Sequence, residues 1–112
     1  DLIAARNAWI ERLEQRLRGF DAVLSPTVPI VAPELSDVAP GVERDDTFFR
    51  INGLLLRNPS VVNMFDGCAL SLPCHEPGSL PVGLMIWHGG LRDDLVLAIA
   101  EQIEARLRAA IQ

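Results

Sequence analysis

The hydrophobic residues recur at helical spacing at both ends of the chain. The first stripe predicts a helix over residues 1–18 that stops at Gly19. The last stripe follows Asp93, which is the expected N-cap of a closing helix. The first stripe contains Leu2, Trp9, Leu13 and Leu17, and the last contains Val96, Ile99, Ile103, Leu107 and Ala110.

The middle of the chain combines apolar runs with strong turn signals. Residues 47–57 predict a helix weakened at Gly53, and Asn58-Pro59 predicts a new helix that ends near Phe65, with Asn58 as its N-cap. Short apolar runs without clean alternation predict buried strands, and turns are expected at Pro77-Gly78 and Gly89-Gly90. The expected strands cover residues 21–25, 69–72 and 80–87.

This order of elements predicts an α/β fold with helices on both faces of a small sheet of about three strands and three to four helices. So few strands leave unpaired sheet edges, which a complete domain would cover. Residues 32–46 are rich in Pro, Gly and acids and are expected to form an exposed irregular excursion. The chain starts at Asp1, directly in a helical pattern, so we expect residues 1–112 to be one incomplete domain of a longer protein.

Composition excludes several classes of function. The net charge is −5 and all ten basic residues are Arg, so direct nucleic-acid binding is not expected. No apolar run is long enough to span a membrane, and no signal peptide is visible. An extended chain would hold Cys68 and Cys74 too far apart for a disulfide, which favours reduced thiols in a cytoplasmic protein.

The chain has no convincing catalytic motif of its own. It contains neither G-x-S-x-G nor Ser-x-x-Lys, and it has no Lys that could act as a base. The His and Cys residues lack the spacing of a metal site, and no cofactor is expected. The acid pairs Asp45-Asp46 and Asp93-Asp94 stand at predicted helix starts, where they favour the helix dipole. Catalytic residues and metal ligands are therefore not predicted in this chain.

Arg57 and Asn63 are polar residues beside the Pro-started helix in an otherwise apolar region. A buried Arg57 would need a carboxylate or several carbonyl partners. Alternatively, it could line a pocket and hold an acidic or amide substrate. The sequence leaves both interpretations open.

Several motifs together resemble one enzyme family. Asp21-Ala-Val-Leu-Ser-Pro-Thr27, followed by Pro29 and Ala32-Pro33, resembles the D-x-x-x-x-P-T-x-P-x-x-A-P segment of amidase-signature enzymes. Arg57-Asn58 with Asn63 and Ala69-Leu-Ser-Leu-Pro73 is similar to their N-x-x-x-x-P-A-x-S-x-P stretch. Leu80-Pro-Val-Gly-Leu84 resembles their G-L-P-x-G-x-Q strand, and the helix from Asp93 to Leu107 resembles their closing helix.

The resemblance implies the C-terminal segment of an α/β/α amidase with a mixed central sheet. Such enzymes hydrolyse a C–N amide bond with a Ser nucleophile, a cis-Ser and a Lys, which lie upstream of the part that this chain resembles. The segment would then complete the sheet and close the substrate pocket, with Arg57, Asn58 and Asn63 as the expected substrate-binding residues. Alone, it is expected to be inactive and to self-associate through its uncovered edges.

Departures from the family pattern leave alternatives. Leu56 stands where the glutamine-dependent tRNA amidotransferase has an acidic residue in its A-type chain, and Asn63-Met-Phe-Asp66 is closer to allophanate-hydrolase-like or broad amidase branches. The first alternative is therefore an A-subunit-type glutamine amidotransferase that works with partner subunits. The second is a non-catalytic interaction module. In the leading prediction the partner is a small-molecule amide, and neither nucleic acid nor a membrane is bound.

Overall fold

The computed structural model describes residues 1–111, which form four helices and three strands. In chain order these are α1 (Leu2–Leu17), β1 (Val23–Pro26), α2 (Leu35–Val38), α3 (Asp46–Met64), β2 (Cys68–Pro73), β3 (Gly83–His88) and α4 (Asp93–Ile111). The α/β class and the numbers of strands and helices are as predicted. Within residues 1–111, no helix is both long and apolar enough to cross a bilayer.

The three strands form one sheet in the order β1-β3-β2. Both pairings are antiparallel; Val23 lies opposite Trp87 in one, and Cys68 lies opposite His88 in the other. Strands β2 and β3 form a hairpin whose loose loop contains the expected turn at Pro77-Gly78, where Gly78 has a φ of 82°. The mixed sheet implied by the resemblance would need parallel strands beyond these three and stays a prediction for the complete domain.

Helices cover both faces of the central strand β3. Successive side chains of a strand point to opposite faces, so β3 contributes to a separate hydrophobic cluster on each side. Ile86 and Leu72 pack against Val96 and Ala100 of α4 on one face. The opposite face carries a second cluster of buried residues, against which half-buried residues of α1 and β1 pack. Its buried members are Val62, Phe65, Met85 and Trp87, and the half-buried residues are Trp9, Ile10, Leu13 and Leu17 of α1 and Val23 of β1. The phenyl ring of Phe65 stands edge-on to Trp9 and Trp87, with centroid distances of 6.1 and 6.3 Å.

The predicted break at Asn58-Pro59 is wrong, because α3 is one helix of 19 residues with Pro59 inside it. Asn58 is therefore not an N-cap. A proline in a helix interior loses one backbone hydrogen bond and costs about 3 kcal/mol by itself. Tertiary packing offsets that cost, since Ile51 and Val62 are buried on either side of Pro59.

Smaller differences concern the ends of elements. Strand β3 begins at Gly83 rather than at residue 80, and α4 begins at Asp93, which is its first residue rather than its N-cap. The expected excursion over residues 32–46 is mostly irregular but contains the one-turn helix α2. Both cysteines are free thiols, as expected. Glu104 and Arg108, one helical turn apart on α4, form an ion pair at 2.8 Å.

Candidate functional site

A group of polar side chains lies at one end of the sheet, where β1 ends and β3 begins. The hydroxyl groups of Thr27 and Ser71 hydrogen-bond to each other with a distance of 2.5 Å between Oγ1 and Oγ. Thr27 follows β1 and its backbone N–H donates to the carbonyl of Gly83, while Ser71 lies in β2 opposite Met85. The two side chains thus meet above the central strand, on the sheet face that α1 and α3 cover.

Gly83 makes this hydroxyl bridge possible. A Cβ atom at position 83 would lie 2.6 Å from both Oγ1 of Thr27 and Oγ of Ser71, closer than atoms in van der Waals contact. The backbone of Gly83 does not have a positive φ, so the requirement for glycine comes from space and not from conformation. Any larger residue at position 83 would push the two hydroxyl groups apart.

Asn58 connects helix α3 to the same end of the sheet. Its side-chain Nδ2 donates a hydrogen bond of 2.8 Å to the carbonyl oxygen of Pro26, the last residue of β1. Asn58 thus satisfies the backbone carbonyl of Pro26 although the two residues are 32 positions apart in the sequence. This contact, and not helix capping, is the role of Asn58 in the structure.

Arg57 extends from α3 beside Asn58 and is exposed. Its Nε donates to Oδ1 of Asn58 at 3.2 Å, so Asn58 bridges Arg57 and Pro26. The ion pairs within residues 1–111 are Arg6 with Asp66 and Arg108 with Glu104, which leaves Arg57 without a carboxylate partner there. Arg57 is thus exposed in this segment, and whether it binds substrate or is a structural residue in the complete domain stays a prediction.

The three predicted site residues are not all brought together. Arg57 contacts Asn58, and Asn58 contacts the end of β1, whereas Asn63 is exposed on α3 and its side chain makes no hydrogen bond within the described residues. Sequence reasoning missed Thr27, Ser71 and Gly83 as members of the cluster. The signal was present, since all three stand inside the resembling motifs, but their meeting depends on strand register.

The described residues do not contain an activated nucleophile. His88 is buried and fully engaged: its Nδ1 accepts from the N–H of Gly89 at 2.7 Å, so its Nε2 carries the hydrogen and donates to the carbonyl of Phe20. In this part of the chain, no Ser or Cys side chain hydrogen-bonds to a histidine or a carboxylate. Nor do residues 1–111 contain a group of three side chains that could hold a metal ion.

The chain is similar to two kinds of curated protein. It is 33% identical over 86 residues, 76% of its length, to a 2-amino-5-chloromuconic acid deaminase of Comamonas testosteroni. It is 30% identical over 94 residues, 84% of its length, to the A-type chain of a glutamyl-tRNA(Gln) amidotransferase of Sulfurisphaera tokodaii. No family model matches the chain.

The chain is also similar to a solved structure of an amidase. The crystal structure of an amidase superposes on 93% of this chain with a TM-score of 0.67 and 30% sequence identity. The chain spans only 18% of the length of each curated relative above and 24% of the amidase in the crystal. The similarity therefore confirms the resemblance for one segment of such proteins, and it includes both amidases and amidotransferase chains.

Proposed function

Because the chain belongs to the amidase family and corresponds to its C-terminal segment, we propose that it is part of an enzyme that hydrolyses a C–N amide bond. The Ser, cis-Ser and Lys of that chemistry lie in polypeptide beyond these residues. Acyl transfer needs an activated nucleophile and an oxyanion hole. This chain has no Lys, and both nitrogens of its buried histidine are engaged.

The proposed role of this segment is to complete the central sheet and to form one wall of the substrate pocket. The polar cluster at the sheet end supports it most directly: the hydroxyl bridge above Gly83 and the Asn58 link to Pro26 fix several donors at one place. Arg57, Asn58 and Asn63 are the proposed substrate-binding residues. A cytoplasmic location stays a prediction that rests on the two free cysteines.

The hydrolase proposal is tested by ammonia release from the complete protein. Purified protein is incubated with a panel of aliphatic and aromatic primary amides, without any acceptor or partner protein. Steady release of ammonia with the matching carboxylic acid as product supports a hydrolase. If no amide is hydrolysed, the proposal is wrong.

A second candidate is an A-subunit-type glutamine amidotransferase, which is favoured by the 30% identity to such a protein over 94 residues. It predicts that ammonia release is slow alone, requires glutamine as the amide, and rises when partner subunits co-purify with the chain. Leu56, which stands where this type of protein is expected to carry an acid, favours the hydrolase. Hydrolysis of simple amides by the protein alone would exclude the amidotransferase, and it would also exclude a non-catalytic interaction module.

A further inference from the structure

Arg57 carries a positive charge that the described part of the chain does not neutralise. The protein has 15 acidic and ten basic residues, so acidic partners are not scarce. Nevertheless, both ion pairs in residues 1–111 involve other arginines. Asp45 and Asp46 lie at the N-terminus of α3, about three turns before Arg57.

The contact that orients Arg57 is made by a neutral group. Nε of Arg57 donates to the amide oxygen of Asn58, and Nδ2 of Asn58 is fixed on the carbonyl of Pro26. An aspartate in place of Asn58 could hold the guanidinium too, but it would cancel the charge and could not donate to Pro26. An amide thus fixes the direction of Arg57 through one nitrogen and leaves its two terminal nitrogens, with their four hydrogens, available.

The hydroxyl bridge supplies a further donor at the same end of the sheet. One hydroxyl of the Thr27–Ser71 pair donates to the other, so the hydrogen of the accepting hydroxyl is not used in the bridge. Thr27 directly follows Pro26, the residue that holds Asn58. Among the described residues, this end of the sheet therefore presents hydrogen-bond donors together with one positive charge that has no carboxylate partner, a combination suited to an anion.

We propose that Arg57 binds a carboxylate of the substrate, so that the enzyme prefers amides that carry a second, acidic group. This inference rests on the proposed amidase function and names the class of its substrate. The two terminal nitrogens of an arginine match both oxygens of a carboxylate, and such charge-assisted pairs are about twice as strong as neutral hydrogen bonds. Arg57 would act in binding and orientation and not in bond cleavage.

The test compares amides that differ mainly in the acidic group. The complete protein is assayed with two pairs: succinamate with butyramide, and 4-carbamoylbenzoate with benzamide. The inference predicts a higher kcat/KM for the acidic member of at least one pair. Arg57→Ala should lower kcat/KM for that acidic amide about 10- to 100-fold, mainly through KM, since a hydrogen bond to a charged group contributes about 1.5–3 kcal/mol. The neutral amide should change less than about threefold, which is within the effect of a typical surface substitution.

Two further variants separate a specific contact from a general effect of charge. Arg57→Lys keeps the charge but loses the two-pronged geometry, so it should recover only part of the preference. Arg50→Ala removes another exposed arginine from the same helix and should leave the preference unchanged.

Three results would overturn the inference while the amidase proposal stands: no preference for acidic amides, an equal loss for acidic and neutral amides in Arg57→Ala, or the same selective loss in Arg50→Ala. If the complete protein releases ammonia from none of the four amides or from the wider panel, the amidase function itself fails. A folded Arg57→Ala protein, verified by an unchanged thermal unfolding midpoint, is required for each comparison.

Discussion

Gly83 is the residue on which the geometry of the polar cluster depends most directly. It lies in the central strand between Thr27 and Ser71, and the space above it is filled by their hydroxyl groups. Asn58 then joins helix α3 to the end of β1 through the carbonyl of Pro26. The shape of the proposed pocket wall therefore depends on the absence of a side chain at Gly83 and on the side-chain amide of Asn58.

The substitution Gly83→Ala should destabilise the protein by about 1–3 kcal/mol, the usual cost of adding a methyl group to a packed site. The added Cβ would lie 2.6 Å from both hydroxyl oxygens, so Thr27 and Ser71 must separate. Urea unfolding of the complete protein measures the change in the free energy of unfolding. The matched control is Gly53→Ala, where a Cβ would contact nothing within 4 Å.

That control should stabilise the protein by about 0.5–1 kcal/mol, because alanine is the better residue in a helix interior. If Gly83→Ala is as stable as the wild type, the hydroxyl groups of Thr27 and Ser71 do not occupy the space above residue 83, and the described cluster is wrong.

Among the three long helices, α1 is the one held most loosely. None of its residues is fully buried. It contacts the sheet through half-buried side chains, and one of them, Trp9, packs edge-on against the ring of Phe65. An exposed ion pair between Arg6 and Asp66, at 2.6 Å, adds a second connection. Such exposed pairs contribute at most about 1 kcal/mol, so Trp9 should dominate the attachment.

Trp9→Ala should lower the free energy of unfolding by about 2 kcal/mol, less than the roughly 3–5 kcal/mol of a fully buried tryptophan. Amide hydrogen exchange should accelerate mainly in Leu2–Leu17, because α1 would detach before the sheet opens. Leu2→Ala, at a position that is 89% exposed, should change neither quantity. Equal acceleration in α4 and in α1 would show that α1 is not a separate unit.

The helices with clear periodicity could be predicted from sequence, because α1 and α4 each carry one apolar stripe that matches one buried face. The course of α3 could not, since a local Asn-Pro signal favours a helix start while burial of Ile51 and Val62 keeps the helix continuous. The cluster was predictable only in part. Arg57 and Asn58 stand out as polar residues in an apolar region, but the meeting of Thr27 and Ser71 depends on the register of three strands.

The whole molecule exposes more surface than a compact protein of its size. A protein of 12.3 kDa is expected to expose about 6,100 Å², whereas the chain exposes 8135 Å². Its radius of gyration of 16.6 Å also exceeds the expected value of about 13 Å, and it is only 17 Å thick in its shortest dimension. The extra area of about 2,000 Å² is larger than one partner's share of a standard interface, about 800 Å².

Much of this surface is apolar. Large hydrophobic side chains are exposed on α3 and along the β1 edge, and among them are Phe49 at 59%, Leu56 at 52%, Met64 at 55% and Leu24 at 55%. Patches of this kind are normally covered by other polypeptide. These features support the proposal that the chain is an incomplete domain whose edges pair with the rest of an amidase. Self-association of the isolated segment stays a prediction on the same grounds.

The central claim is that this segment supports an amide-cleaving site and does not contain it. The most direct test is the rate of ammonia release from the amide panel by the purified 112-residue chain, alone and after co-expression with the remaining part of the protein. We predict no release above background from the chain alone and a restored rate from the combined parts. Sustained amide hydrolysis by the isolated chain, with a nucleophile mapped within it, would contradict this claim.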